Sequence, residues 1–94
     1  MKTVDCLKAA RAAIVRYGWT QRYLGDERVG YCAIGAIHRV TDRVSRRRDA
    51  VDILRAVLGL DGKSTLANWN DVTGRTKRQV LAAFSRAIKN SRRG

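Results

Sequence analysis

The sequence contains no proline, one histidine and one glutamate among its 94 residues. Without proline, glycine alone marks the breaks between elements. The scarcity of histidine and glutamate leaves few groups for general acid–base chemistry or for a metal site. A glycine-rich phosphate loop, an H-E-x-x-H helix and a G-x-S-x-G elbow are also missing. We therefore expect a protein that is not an enzyme and that needs no cofactor or metal.

Long uncharged runs are lacking too, and none approaches the roughly 18 residues that a membrane span requires. Charged residues such as Asp5 and Lys8 interrupt any apolar stretch near the N-terminus, which argues against a secretory signal. We expect a cytoplasmic protein with no membrane association. Cys6 and Cys32 are the only cysteines, and both have apolar neighbours. In a reducing compartment they are predicted to be small buried residues rather than a disulfide.

Apolar residues make up 45% of the chain, an ordinary share for a globular protein. Their spacing of three and four residues predicts a mainly α fold of four to five helices, in a single domain over residues 1–94. Residues 91–94 are expected to form a frayed basic tail. The predicted helices cover residues 4–17, 31–44, 49–58, 65–69 and 76–90.

Several local signals set the ends of these helices. Thr3 is the predicted N-cap of the first helix, and Thr76 with Gln79 has the spacing of a capping box. Gly59 followed by Leu60 suits a Schellman ending. Gly35, inside a predicted helix, indicates the close approach of another backbone. The segment from about residue 20 to 30 has two alternatives, a small β-hairpin or a plain loop.

The charge is strongly one-sided, with 20 Lys and Arg against 8 Asp and Glu and a formal net charge of +12. Half of this excess falls within residues 64–94. On a helical wheel, the cations of the last helix share a sector of roughly 80°, opposite Val80, Phe84 and Ala87, and no acid neutralises them. These four cations are Arg78, Arg86, Lys89 and Arg93.

A second basic stripe is predicted from Arg39, Arg43 and Arg46, which are spaced four and three residues apart along the second helix. Arg75, Lys77 and Arg78 stand at the start of the last helix, where a helix-turn-helix would present residues to base edges. Residues 64–90 match that motif weakly because its first helix is short. Phosphate contact needs only positive charge and is the stronger prediction.

This charge predicts a polyanionic partner. Nucleic acid is the first candidate, and most of the cations are arginines, whose guanidinium group binds phosphate through two parallel bonds. The alternative is an interaction protein that docks on an acidic host protein. A merely solubilising surface is the third interpretation. Of the three, we expect nucleic-acid binding through phosphate contacts.

Short strings distributed along the chain carry a family resemblance: GWTQ at residues 18–21, CAIGAI at 32–37, WND at 69–71, RT at 75–76 and VL at 80–81. At these strings the sequence resembles a family of small actinobacterial and actinobacteriophage proteins of unknown function. The resemblance implies a compact helical domain and a phage origin, and it transfers no catalytic role. This chain is expected to be more basic than its relatives, so nucleic-acid binding would belong to this member.

The WND string is itself open to two interpretations. In the structural one, Trp19 and Trp69 fill the core while Asn70 and Asp71 cap backbone groups. In the other, a catalytic centre is formed by Trp69, Asn70, Asp71 and His38, although no nucleophile–base pair is visible in the sequence. We expect the structural interpretation to hold.

Overall fold

The computed structural model describes residues 2–93, with side chains as far as Ser91. The described chain is mainly helical, as predicted, and one small antiparallel sheet accompanies its five helices. The elements are α1 (Thr3–Tyr17), β1 (Gly25–Asp26), β2 (Gly30–Tyr31), α2 (Ala33–Val40), α3 (Val44–Leu58), α4 (Leu66–Asp71) and α5 (Lys77–Arg93). None of the helices in this part of the chain has the length and apolar content needed to cross a membrane.

Helix α1 lies at the centre of the fold and packs against α5, α2 and α3. Its apolar face, spaced as the sequence predicts, buries Leu7 and Ile14 completely. Phe84 of α5 and Leu54 of α3 are equally buried in the same core. Fully burying a side chain of this size contributes roughly 1.5–3 kcal/mol, so this shared core is the main source of stability.

The two cysteines are buried and free, as small core residues should be. Burial raises the pKa of both the Cys6 and the Cys32 thiol. Cys32 also has a local role, because its sulfur accepts a hydrogen bond from the Gly35 N–H at 3.2 Å and so caps the start of α2.

The predicted helix over residues 31–44 is wrong at its C-terminal end, because α2 stops at Val40 and α3 already begins at Val44. Thr41 is extended, and its hydroxyl accepts a hydrogen bond from the Arg43 N–H at 3.2 Å. The Arg47 guanidinium donates to the carbonyls of Thr41 and His38 at 2.7 and 3.3 Å. These bonds satisfy backbone groups that would pair with each other if the helix continued. The break between α2 and α3 is therefore stable. Val44, at the start of α3, is 66% exposed.

The hairpin alternative is the one the structure contains. Gly25 pairs with Tyr31, and Asp26 with Gly30, in an antiparallel register. The segment lies directly on α2, where a Cβ atom at Gly35 would collide with the carbonyl of Leu24. The close backbone approach predicted for Gly35 is therefore confirmed, and the hairpin is the element that approaches.

Two of the three predicted end signals are confirmed. The Thr76 N–H donates to Gln79 Oε1 at 3.0 Å, and the Gln79 N–H donates to Thr76 Oγ1 at 3.2 Å, which completes the capping box. Gly59 is left-handed, and the Leu60 N–H reaches the Arg55 carbonyl at 3.0 Å in a Schellman ending. Thr3 is not the N-cap of α1, since Lys2 holds that position.

Helix α5 continues to Arg93, three residues past its predicted end at Asn90. Part of the tail that was expected to fray is therefore helical. Gly94 and the side chains of Arg92 and Arg93 lie outside the described residues, and for them fraying stays a prediction.

Candidate nucleic-acid interface

The outer face of α5 carries the predicted group of cations. Arg78, Arg86 and Lys89 are exposed, while Val80, Phe84 and Ala87 on the opposite side are buried. The described side chains of α5 therefore separate into an apolar inner face and a cationic outer face. The side chain of Arg93, assigned to the same face, lies outside the described residues.

Helix α1 adds two cations that sequence reasoning missed, Lys8 and Arg11. The Arg11 Nε donates to the Ser85 hydroxyl at 2.9 Å and to the Leu81 carbonyl at 3.2 Å, which fixes its guanidinium against α5. Arg11 and Leu81 are 70 residues apart in sequence. No periodicity within one helix could indicate this pairing, because it arises only when α1 and α5 pack together.

A groove follows the junction of the two helices, and we call it the α1–α5 groove. It consists of two cavities of about 710 and 650 Å³ that share Arg11 and Ser85 in their walls. The apolar surface of the cavity walls comes from Ala12, Leu81, Ala82 and Ile88. No Asp or Glu is among the described residues that line either cavity. The cations of the groove are Lys8, Arg11, Lys77, Arg78, Arg86 and Lys89.

The second predicted group does not lie along one helix. Arg39 is on α2, Arg43 is the N-cap of α3, and Arg46 is on α3. All three still line one cavity of about 600 Å³, where α2 ends and α3 begins, and Asp42 lines it with them. The cavity walls have no residue in common with those of the α1–α5 groove.

Two of these three arginines have partners within the fold. Arg39 forms an ion pair with Glu27 at 2.9 Å and donates to the Tyr31 hydroxyl at 2.7 Å. Its guanidinium also lies 4.8 Å from the ring centre of Tyr17. Arg46 donates to the Thr3 hydroxyl at 2.8 Å. This cluster therefore joins α1, the hairpin, α2 and α3, and it has less unpaired charge than the α1–α5 groove.

Arg75 also has a position within the fold. Its guanidinium stacks on Trp69 at 4.1 Å from the ring centre, and its Nε donates to the Trp69 carbonyl at 2.9 Å. These contacts hold the connection between α4 and α5. Arg75 is therefore not among the residues that line the α1–α5 groove, whereas Lys77 and Arg78, just after it, are exposed there.

Asn70 is completely buried and connects distant parts of the chain. Its Oδ1 accepts from Trp19 Nε1 at 2.8 Å and from the Ala33 N–H at 3.0 Å. Its Nδ2 donates to the Thr20 carbonyl at 3.1 Å and to Asp71 Oδ1 at 3.0 Å. All four hydrogen-bonding positions of the amide are thus used within the fold.

Neighbouring residues extend this network. Asp71 Oδ1 accepts from the Arg22 N–H at 2.8 Å. Gln21 Nε2 donates to the carbonyls of Asn70 and Val72 at 3.0 and 2.9 Å. The GWTQ and WND strings therefore meet in space, and they bind backbone groups as the structural interpretation predicts. Trp19 and Trp69 are partly buried and pack against the core.

His38 stands apart from that network. It is partly buried near the end of α2, and burial, followed by the nearby Arg47 cation, lowers its pKa below the ordinary 6.5. The residues that the structure describes contain no cluster of three or more His, Cys, Asp or Glu able to hold a metal ion.

Taken together, fold and surface define a small, mainly α-helical protein with a minimal hairpin and a cationic groove between its first and last helices. The chain belongs to DUF6197, a family of unknown function whose model matches residues 1–90. Neither the comparison with curated proteins nor the comparison with solved structures gives a match.

Proposed function

We propose that this protein is a non-enzymatic nucleic-acid-binding protein that contacts phosphates through the α1–α5 groove. The observation that carries the proposal is that the described residues around these two adjoining cavities include six cations and no carboxylate. Solvated helix faces commonly mix charges of both signs, because opposite charges one turn apart stabilise the helix. An unmixed cationic surface instead attracts a polyanion.

The fixed position of Arg11 supports the same function. Its Nε is bound to α5, so the guanidinium is held in place before any ligand arrives. A guanidinium still has further N–H groups for a phosphate oxygen. Because less side-chain freedom is lost on binding, a held arginine favours affinity over a free one.

Salt dependence tests this proposal. If all six cations contact phosphates of a DNA duplex, log affinity should fall against log salt with a slope of about −5. That corresponds to a loss of about 10³-fold between about 50 and 200 mM salt. Fluorescence anisotropy of a labelled duplex gives the slope directly. A slope near zero, or no binding at low salt, would refute the proposal.

A matched pair of variants locates the site. Lys89→Gln removes a charge from the α1–α5 groove and should reduce the slope by about 1. Lys63→Gln removes the same charge from the exposed turn between α3 and α4 and should leave the slope unchanged. Equal effects of the two substitutions would show that binding follows total charge and does not use this groove.

The alternative prediction, an interaction protein that docks on an acidic host protein, makes the opposite forecast. Its partner would be retained from an extract after complete nuclease treatment. The actinobacterial or phage origin implied by the resemblance stays a prediction, as does a cytoplasmic location. The phosphate-binding proposal depends on neither.

A further inference from the structure

The segment from Arg22 to Val29 exposes an unusual amount of apolar surface. Tyr23 is 73% exposed, Leu24 52% and Val29 58%. Tyr23 is the most exposed large hydrophobic side chain in the described chain, and the other five aromatic residues there are buried or partly buried. A single exposed apolar side chain is ordinary, but three within one short segment are a feature typical of interaction surfaces.

The acids of this segment accept bonds from within the fold, whereas its two arginine side chains donate none. Asp26 Oδ1 accepts from the N–H groups of Arg28 and Val29 at 2.8 and 3.0 Å and so closes the turn. Glu27 is bound to Arg39 at 2.9 Å. Among the described residues, Arg22 and Arg28 form hydrogen bonds only through their backbone N–H groups, and neither takes part in the one ion pair. An exposed aromatic ring is therefore flanked along the chain by two available cations.

The backbone that carries Tyr23 is firmly held. Arg22 has a φ of 74°, in the left-handed region that residues other than glycine rarely adopt. Its N–H is bound by Asp71, and the carbonyl of Leu24 accepts from the Cys32 N–H at 3.2 Å. An unfavourable backbone conformation persists only where its surroundings fix it, and such residues cluster at binding sites.

A hydrogen bond joins the residue before this segment to the connection that leads into α5. Gln21 is bound to the carbonyl of Val72, which lies five residues before Lys77. Five residues span at most ~18 Å even when fully extended. A ligand that crosses the α4–α5 connection could therefore contact both surfaces.

On the basis of the proposed function, we propose that Tyr23 is a stacking platform for an unpaired nucleobase, with Arg22 and Arg28 on neighbouring phosphates. The ligand of this surface is then single-stranded nucleic acid, since bases within a duplex are stacked on each other and offer no free face. A protein partner would need about 20–30 residues on each side, far more than this segment. A second copy of the chain would meet a net charge of +12 with its own.

The test compares single-stranded and duplex DNA. A labelled oligothymidine of about 12 nucleotides and a duplex are titrated by anisotropy at the same low salt. Tyr23→Ala should weaken binding of the oligothymidine by roughly 5- to 150-fold and leave duplex binding within about twofold. Tyr23→Phe keeps the ring and should bind as the unmodified protein does. Val29→Ala, a neighbouring exposed residue without a ring, should also leave both affinities unchanged.

Each other result decides against stacking. Unchanged oligothymidine binding by Tyr23→Ala would overturn the inference while leaving phosphate binding by the groove intact. An equal loss on both ligands, or failure of Tyr23→Phe to bind, would also overturn it. If the unmodified protein binds neither DNA, the proposed function fails together with this inference. Because Tyr23 is 73% exposed, the variant should fold normally, and circular dichroism checks this.

Discussion

Replacing Asn70 with alanine is the most informative perturbation of the fold. The substitution removes an amide that is fully buried and makes four hydrogen bonds. It leaves the Trp19 indole N–H, the Ala33 N–H and the Thr20 carbonyl without this partner. Each buried polar group left unsatisfied costs about 1–3 kcal/mol.

Because water can reach the partly exposed groups, we expect a total loss of about 3–5 kcal/mol. Small domains are stable by only about 5–15 kcal/mol, so this is a large fraction of the free energy of unfolding. For a domain of this size the melting temperature should fall by more than about 12 °C. Urea denaturation, followed by circular dichroism and by tryptophan fluorescence, measures the loss.

Asn68→Ala is the matched control. It makes the same substitution two residues earlier in α4, where the side chain is exposed and forms no hydrogen bond within the described residues. We expect a change within about 0.5 kcal/mol. If Asn70→Ala loses less than about 1 kcal/mol, or no more than Asn68→Ala, then the buried amide does not hold the hairpin segment to α4.

Two further variants test the packing and the pH dependence. Gly35→Ala should destabilise the fold despite the better helix propensity of alanine, because its methyl would meet the Leu24 carbonyl; Gly62→Ala, with open space around it, is the control for thermal melting. His38 has a lowered pKa, so the unfolded chain binds its proton more readily. The contribution of His38 should be complete above about pH 6.5 and be lost just below it, and His38→Gln should remove this first part of the acid decline, before the carboxylates titrate. Equal melting of the glycine variants, or an unchanged decline, would contradict these expectations.

The features that could be predicted from the sequence are those that short stretches of the chain determine. The three- and four-residue spacing of α1 and α5 and the capping box at Thr76 and Gln79 depend on neighbours within one or two turns. The end of α2 was mispredicted because Thr41 and Arg47 together offer the backbone other partners. Apolar periodicity alone gives no sign of such a competition.

The candidate site also has one part that a single helix determines and another that depends on contacts between helices. The cationic face of α5 follows from its own helical periodicity, and the structure shows Arg78, Arg86 and Lys89 exposed together. The contribution of Arg11 depends on a contact across 70 residues, which no local pattern contains. Likewise, the capping role of Asn70 was expected, but its partners lie as far as 51 residues away.

Among the described residues only one ion pair forms, between Glu27 and Arg39, so most of the positive charge is not neutralised within the fold. With a formal net charge of +12 on a body of 33 × 26 × 22 Å, the cations repel one another across the molecule in dilute buffer, where the Debye length is about 30 Å at about 10 mM salt. Added ions would relieve this mutual repulsion and strengthen the native state, while the same ions compete with a bound polyanion. High salt would thus stabilise the fold but weaken polyanion binding. In dilute buffer a bound polyanion would supply the negative charge that stabilises the native state.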